Sequence, residues 1–250
     1  MSDADLYLLK EASRLVESKV FRDYVELGNL QTTSRSLQFL NKTVDFLNHR
    51  FLDFFTEKRP NYNVFIKGFP TAENQNKSGV KNSIYINSIC GLRNLLHHVH
   101  YFVTMISLFE EDKVIASIVN SYATNEIFFV TENKGVFLND RKVRVSNRNI
   151  NDNSLIGIKY GNRSKKNFLR LASKLGNFRV GNCSILDSCY TACGRYDANF
   201  IFDGYEKELS SCELFIREAG GLSYKIADNS ILFSNSVVYN DLKKIIAENV

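Results

Sequence analysis

The alternation of strand-like and helix-like segments along the whole chain is the feature that most constrains its fold. Runs rich in Val, Ile, Phe and Tyr predict strands at 63–67, 83–89, 102–109, 113–119, 125–131, 154–160, 198–202 and 236–240. Apolar residues at three- and four-residue spacing predict helices over 8–20, 36–58, 165–176, 184–194 and 207–221. Because both kinds of element recur in both halves, the sequence predicts an α/β protein with helices layered between sheets.

The length and composition predict a single globular domain over residues 1–250. A chain of 250 residues can bury a sizeable core, and 44% hydrophobic with 24% charged residues is ordinary for a globular protein. We expect two halves within this domain, about 1–150 and about 151–250, since no low-complexity stretch separates them. The polar segment 73–83 is predicted to be an exposed loop.

Charge and cysteine content disfavour several classes of protein. The net charge of +5 is spread along the chain, which does not favour a protein dedicated to direct nucleic-acid binding. The five cysteines have no framework spacing and are predicted to be reduced thiols. No apolar stretch approaches the ~20 residues that span a bilayer, and the acidic start MSDADLYLLKEA lacks the pattern of a signal peptide. We therefore expect a cytoplasmic protein without membrane contact.

The stretch INSICG (86–91) ends a predicted strand next to residues that could carry chemistry. Arg93 could clamp a phosphate as a planar bidentate donor, or it could be a solvated surface residue. Cys90 with the histidines at 97, 98 and 100 could bind Zn²⁺. The spacing of these four residues matches no structural zinc pattern, so a small thiol beside loop histidines is the alternative.

Ordered segments of the chain resemble the inositol monophosphatase family. The run GRYDANFIFDGYEKELSSCELFIREAGG (194–221) is similar to the family's closing signature, in which a G-R-x-D-(A/G) strand leads to a W-D helix that ends in E-A-G-G. The run NEIFFVTENKGVFLNDRKVRVS (125–146) resembles the hairpin E-(L/I)-F-x-A-x-x-G-x-G-A-x-x-N-G, and FVTMISLFEEDKVIASIV (102–119) resembles the paired strands before it. The resemblance extends from about residue 6 to about residue 248 and is closest to bacterial members of the SuhB type.

This resemblance implies a layered αβαβα sandwich, often dimeric, that hydrolyses phosphate monoesters with Mg²⁺. Clustered Mg²⁺ ions would neutralise the phosphate and lower the pKa of a bound water, and such ions require converging oxygen ligands. The implied partners are an inositol or sugar phosphate, a second copy of the chain and, for the SuhB type, proteins of the transcription antitermination machinery. Asp197, within the closing signature, is predicted to organise a turn or an ion pair.

The chain departs from the family at its metal motifs. The family's D-P-(I/L)-D-G-T-x-N-F corresponds to NSICGLRNL (87–95), which places Asn87 and Cys90 at the two aspartate positions. Leu92 stands where the threonine of a phosphate-binding helix start would be, between Gly91 and Arg93.

The other acidic positions are also altered. The family's G-E-E corresponds to KGFP (67–70), and a substrate-contacting acidic residue corresponds to Ile201. The W-D pair corresponds to Lys207 and Glu208, so one carboxylate of four remains, on a longer side chain. An amide carries no negative charge and a thiol is a soft ligand that suits Mg²⁺ poorly.

The resulting hypothesis is a catalytically impaired or inactive homologue that acts through binding, with no cofactor expected. The alternative is a divergent phosphatase that holds one Mg²⁺ with Glu208, Asn87 and the main-chain carbonyl of Ile89. A third possibility is an anion-binding module in which Gly91, Leu92 and Arg93 contact the anion. All three predict that Asn87, Cys90 and Glu208 converge on one pocket.

Overall fold

The computed structural model describes residues 3–30, 33–70, 79–150 and 153–249. It divides into two compact units, Met1–Ile127 and Phe128–Val250. The prediction of a single domain over 1–250 stays a prediction. The predicted loop at 73–83 lies largely outside the described residues. Only its part from residue 79 onward is described.

Three helices begin the first unit: α1 (Asp3–Arg14), α2 (Glu17–Asn29) and α3 (Thr33–Lys58). The single helix predicted over 8–20 is therefore two helices. At the break between α1 and α2, the buried Tyr122 hydroxyl donates to the carbonyl of Ser13 at 3.2 Å, and the Asn120 amide donates to the same oxygen at 3.4 Å. These long-range partners are not visible in local periodicity, which explains why the break was not predicted.

The first unit also contains a mixed sheet. Its strands are β1 (Asn63–Ile66), β2 (Ser83–Cys90), β3 (Val103–Glu110) and β4 (Lys113–Ser121), with the short helix α4 (Leu92–Leu96) after β2. β1 pairs with β2 in parallel, while β2 with β3 and β3 with β4 are antiparallel. Fully buried apolar side chains from α1, α3 and the strands form the core, among them Leu9, Leu47, Phe51, Ile86 and Ile106. The strands are buried on both faces, so they are continuous apolar runs rather than alternating ones.

Strand β5 (Glu126–Thr131) crosses the border between the units. In the second unit it pairs antiparallel with β6 (Gly135–Leu138), which pairs with β7 (Arg141–Val143). The remaining strands are β8 (Ile156–Lys159), β9 (Phe178–Arg179), β10 (Ala198–Ile201), β11 (Leu222–Ala227) and β12 (Ser230–Ser234). They form a five-stranded sheet in the order β11-β12-β10-β8-β9, in which β10-β8 and β8-β9 are parallel.

Four helices accompany this sheet: α5 (Lys165–Ala172), α6 (Ser184–Ala192), α7 (Glu206–Glu218) and α8 (Tyr239–Asn249). One core cluster joins α5 and α8 to the sheet through Phe168, Leu171, Phe200, Leu232 and Leu242. Strands β8 and β10 and helices α5, α6 and α7 follow the predicted alternation, with ends displaced by a few residues, whereas strands β11 and β12 were not predicted.

The prediction of a strand over 236–240 is wrong. The side-chain oxygen of Asn235 accepts from the backbone amides of Val237 and Val238, both at 2.9 Å, and so turns the chain directly after β12. Helix α8 follows, with Leu242 and Ile246 buried on one face. Residues 236–240 were interpreted as a strand because their apolar character does not reveal this turn.

Within the described residues, no helix is both long enough and apolar enough to cross a membrane. All five cysteines lie in the described part of the chain and are thiols, as predicted.

Candidate functional site

The end of β2 is irregular where the sequence predicted chemistry. Asn87 lies opposite Met105 and Cys90 lies opposite Val103 on β3, so the register shifts between these two pairs. Ser88 and Ile89 form this bulge. A bulge takes residues out of the ladder and changes the direction of their side chains, so the sheet here presents groups that a regular strand would not.

Buried hydrogen bonds hold the bulge in place. The Ser88 hydroxyl donates to the side-chain oxygen of Asn48 on α3 at 2.6 Å, and the Thr104 hydroxyl on β3 donates to the Ser88 carbonyl at 2.6 Å. All three residues are at most 4% exposed. The sequence analysis did not predict these contacts. A serine within an apolar strand was the available signal, because a buried hydroxyl requires a partner.

The donor groups at this strand end are an amide, a carbonyl and a thiol. Asn87 is 4% exposed and Ile89 is 5% exposed, whereas Cys90 is half-buried. No aspartate or glutamate occurs between Glu73 and Glu110.

Gly91 makes the turn from β2 into α4. Its φ is +90°, and a Cβ added there would lie 2.6 Å from the carbonyl oxygen of Tyr101. Only glycine fits such a turn without strain. The Asn94 side chain also donates to the Tyr101 carbonyl, at 2.6 Å, which ties α4 to the segment leading into β3.

The side chains that follow this turn face solvent. Leu92 is 42% exposed, and Arg93 and His97 are exposed as well. Neither Arg93 nor His97 therefore fills a buried pocket. A phosphate contact by Gly91, Leu92 or Arg93 stays a prediction.

His98 and His100 pack against α2. The Tyr24 ring lies 4.1 Å from the His98 ring and 5.6 Å from the His100 ring, and its hydroxyl donates to the His98 carbonyl at 3.2 Å. Burial raises the pKa of Tyr24. A Cβ added to Gly28 would lie 2.5 Å from the His98 ring. These contacts favour a packing role for His98 over zinc binding.

Glu208 belongs to the second unit. It lies in the first turn of α7 and is only 5% exposed. Ile201, at the end of β10, is 1% exposed and carries no polar group. The convergence of Glu208 with Asn87 and Cys90 stays a prediction. Among the described residues, no three His, Cys, Asp or Glu side chains are grouped so that they could hold a metal ion.

Asp197 has the structural role that the sequence predicted. Its Oδ1 accepts from the Ser146 hydroxyl at 2.6 Å and from Arg148 Nε at 2.8 Å, and its Oδ2 accepts from the Leu155 amide at 3.0 Å. The carboxylate is 1% exposed. It therefore joins the turn before β10 to the segments that flank β7 and β8.

Comparison with known proteins identifies the family. The sequence model of the inositol monophosphatase family matches residues 71–250. An inositol-1-monophosphatase of Rhizobium meliloti is 28% identical over 214 residues, which cover 81% of this chain and 78% of that protein. A Nus factor SuhB of Buchnera aphidicola is 25% identical over 220 residues, which cover 85% of this chain and 77% of that protein.

The fold is also similar to solved structures. The extragenic suppressor protein SuhB of Bartonella henselae aligns with a TM-score of 0.83 at 18% identity, over 98% of this chain and 100% of that one. An inositol monophosphatase of Staphylococcus aureus aligns with a TM-score of 0.80 at 14% identity, over 98% and 94% of the two chains. The predicted α/β class, a layered αβαβα sandwich of this type, is confirmed by these likenesses. The chain belongs to the inositol monophosphatase family.

Proposed function

We propose that this chain is a catalytically impaired member of the inositol monophosphatase family that acts through binding rather than through Mg²⁺-dependent hydrolysis. The observation that carries the proposal is the donor set at the end of β2. Asn87 and Cys90 offer an amide and a thiol, and no acidic residue occurs between Glu73 and Glu110.

This donor set does not suit Mg²⁺. The ion is hard and strongly hydrated, and it leaves water for carboxylates and phosphates. The amide of Asn87 brings no negative charge, and the thiol of Cys90 is a soft ligand that suits other metals. The Ile89 carbonyl is neutral as well, so these three groups would not replace the hydration free energy that Mg²⁺ loses when it leaves water.

The charged side chain nearest in sequence to the end of β2 is a cation, Arg93. Between Glu73 and Glu110 the sequence carries Lys77, Lys81 and Arg93; Lys81 pairs with Glu111 at 2.8 Å, and Arg93 is exposed. Like charge repels a divalent cation, while an exposed guanidinium attracts anions. The exposed Arg93 therefore supports the binding role, as the residue that would contact a phosphate or carboxylate.

A phosphatase assay tests the proposal. Inorganic phosphate release from inositol monophosphate at saturating Mg²⁺ should be at background. A matched reference is the same protein with Asn87→Asp, Cys90→Asp and Glu208→Asp, which restores two acidic positions and shortens the acidic side chain at the third. Catalytic ligands act as a unit and their effects are not additive, so we expect little turnover even from this variant. Robust wild-type activity that a chelator abolishes and Mg²⁺ restores would refute the proposal.

The second candidate function is a divergent Mg²⁺-dependent phosphatase acting on inositol monophosphate or a related sugar phosphate. The observation that favours it is the buried carboxylate of Glu208 in the first turn of α7. Together with Asn87 and the Ile89 carbonyl, it would supply the ligands of one ion. Glu208→Gln would then abolish any metal-dependent activity, whereas the binding proposal predicts no activity to lose.

The partner that we propose is a protein of the transcription antitermination machinery. We also propose that this chain is cytoplasmic and forms a homodimer. The support is the similarity to proteins named Nus factor SuhB, including that of Buchnera aphidicola. Co-sedimentation with purified Nus factors of the same organism tests the partner. Sedimentation of the protein alone tests the dimer, whose interface should exceed ~1,000 Å².

A further inference from the structure

A cavity of about 530 Å³ lies in the second unit between helix α7 and the β11-β12 hairpin. Its volume falls in the ~300–1,000 Å³ range of small-molecule sites. The residues that line it come from one helix face and one hairpin, within 206–213 and 223–231. None of the residues in the proposed function lines this cavity.

The charged groups around the cavity are mostly acidic. Glu206, Glu213 and Asp228 line it together with one base, Lys225. Lys225 donates to Asp228 at 2.8 Å, so this pair is neutral as a unit. Glu206 and Glu213 then leave an excess of negative charge, in a protein whose overall net charge is +5.

The two glutamates lie on either side of Leu209 and Ser210 in the cavity wall. They are seven residues apart on α7, which corresponds to about 10 Å along the helix axis and to the same helix face. Leu209 lies between them in the cavity wall, and Ile231 contributes an apolar side chain from β12. The Ser223 hydroxyl donates to Glu213 Oε1 at 2.5 Å and fixes the position of that carboxylate.

A hydroxyl in the cavity wall provides a second indication of a ligand. Ser230 lines the cavity and is only 9% exposed. Its hydroxyl makes no hydrogen bond to any residue in the described part of the chain. Its oxygen is not among the fully buried atoms that lack a partner and is therefore accessible from the cavity, where a polar group would satisfy it.

We propose that this cavity binds an aliphatic diamine or polyamine. The two ammonium groups would each meet one glutamate, Glu206 or Glu213, and the methylene chain would lie on Leu209 and Ile231. The Ser230 hydroxyl would accept from an amine N–H. A phosphate would be repelled by the two carboxylates, and no metal-binding group of three ligands occurs among the described residues. The proposal does not depend on whether phosphatase activity survives.

Isothermal titration calorimetry at low ionic strength tests the proposal with putrescine as the probe. Butylamine has one ammonium group and butanediol has none, so the proposal predicts that putrescine binds more tightly than butylamine and that butanediol does not bind. Glu206→Gln and Glu213→Gln should each weaken putrescine binding about threefold, as exposed ion pairs do. The double variant should weaken it about tenfold, and added salt should weaken it further. Ser230→Ala should weaken it less than either glutamine variant.

Glu248→Gln is the matched control, since Glu248 is exposed on α8, lies outside the cavity lining and undergoes the same change of charge. It should bind putrescine like the wild type. NMR spectra of the backbone amides give a second readout on the wild-type protein. Putrescine should shift the signals of residues 206–213 and 223–231. The proposal is overturned if putrescine does not bind, if it binds no more tightly than butylamine, or if the double variant binds it unchanged. Amide shifts confined to other regions would also overturn it.

Discussion

Replacing Asp197 with alanine should be among the most destabilising single changes in the second unit. The carboxylate accepts three hydrogen bonds, from the Ser146 hydroxyl, Arg148 Nε and the Leu155 amide, while only 1% exposed. Removing it leaves all three donors without this acceptor. It also separates the turn before β10 from the segments beside β7 and β8.

The magnitude follows from the exposure of each partner. Breaking a buried ion pair by deleting one member costs about 3–5 kcal/mol when the remaining charge stays buried. Arg148 is 47% exposed, so water can solvate its guanidinium after the change. Arg148 also donates to the Gly194 carbonyl at 2.7 Å, and this contact remains. We therefore expect the lower end of the range, about 3 kcal/mol.

Urea unfolding followed by circular dichroism measures this loss. The urea concentration at the unfolding midpoint should be lower for Asp197→Ala than for the wild type. The dependence of the unfolding free energy on urea concentration should change little. Asp53→Ala is the matched control, because Asp53 is exposed on α3 and its loss should change the stability by at most about 0.5 kcal/mol. An Asp197→Ala protein within about 0.5 kcal/mol of the wild type would refute the reasoning.

Two further predictions concern the first unit. Gly91→Ala should cost about 2 kcal/mol, because its φ is +90° and the new Cβ would lie 2.6 Å from the Tyr101 carbonyl oxygen; Gly176→Ala, with no atom within 4 Å of the added Cβ, is the control in the same unfolding assay. Burial raises the pKa of Tyr122 above the ordinary value of 10.0, so this hydroxyl stays protonated in the folded chain after it ionises in the unfolded one. Its contribution to stability should be complete below pH 10.0 and decrease as the pH rises above that value. Above pH 10.0, the free energy of unfolding of a Tyr122→Phe protein should decrease less steeply than that of the wild type. Parallel curves of stability against pH would contradict this role of the Tyr122 hydroxyl.

The fold was largely predictable because the core elements carry their own signals. Strands β3 and β4 are buried on both faces, and their continuous apolar runs are visible in the sequence. Helix α8 was not predicted, because the turn that separates it from β12 depends on one side chain, Asn235. The break at Ser13 likewise depends on contacts with β4 and its end, more than 100 residues away in the chain.

The candidate site was only partly predictable. The resemblance to the family identified Asn87 and Cys90 at the two aspartate positions, and the positive φ of Gly91 places a turn where the predicted strand ends. The sequence could not reveal the bulge at Ser88, because a register shift depends on which residues of β3 lie opposite. It also could not reveal the cavity beside α7, since the helix and the hairpin that line it meet only in the folded chain.

Direct metal binding tests the central claim, that the end of β2 has lost its affinity for Mg²⁺. Mn²⁺ can be titrated into the protein and followed by electron paramagnetic resonance, in which bound Mn²⁺ loses the signal of the hydrated ion. The account predicts no specific binding by the wild type and weak binding by the Asn87→Asp, Cys90→Asp double variant. Tight, Mg²⁺-competable Mn²⁺ binding by the wild type that Asn87→Ala removes would contradict it.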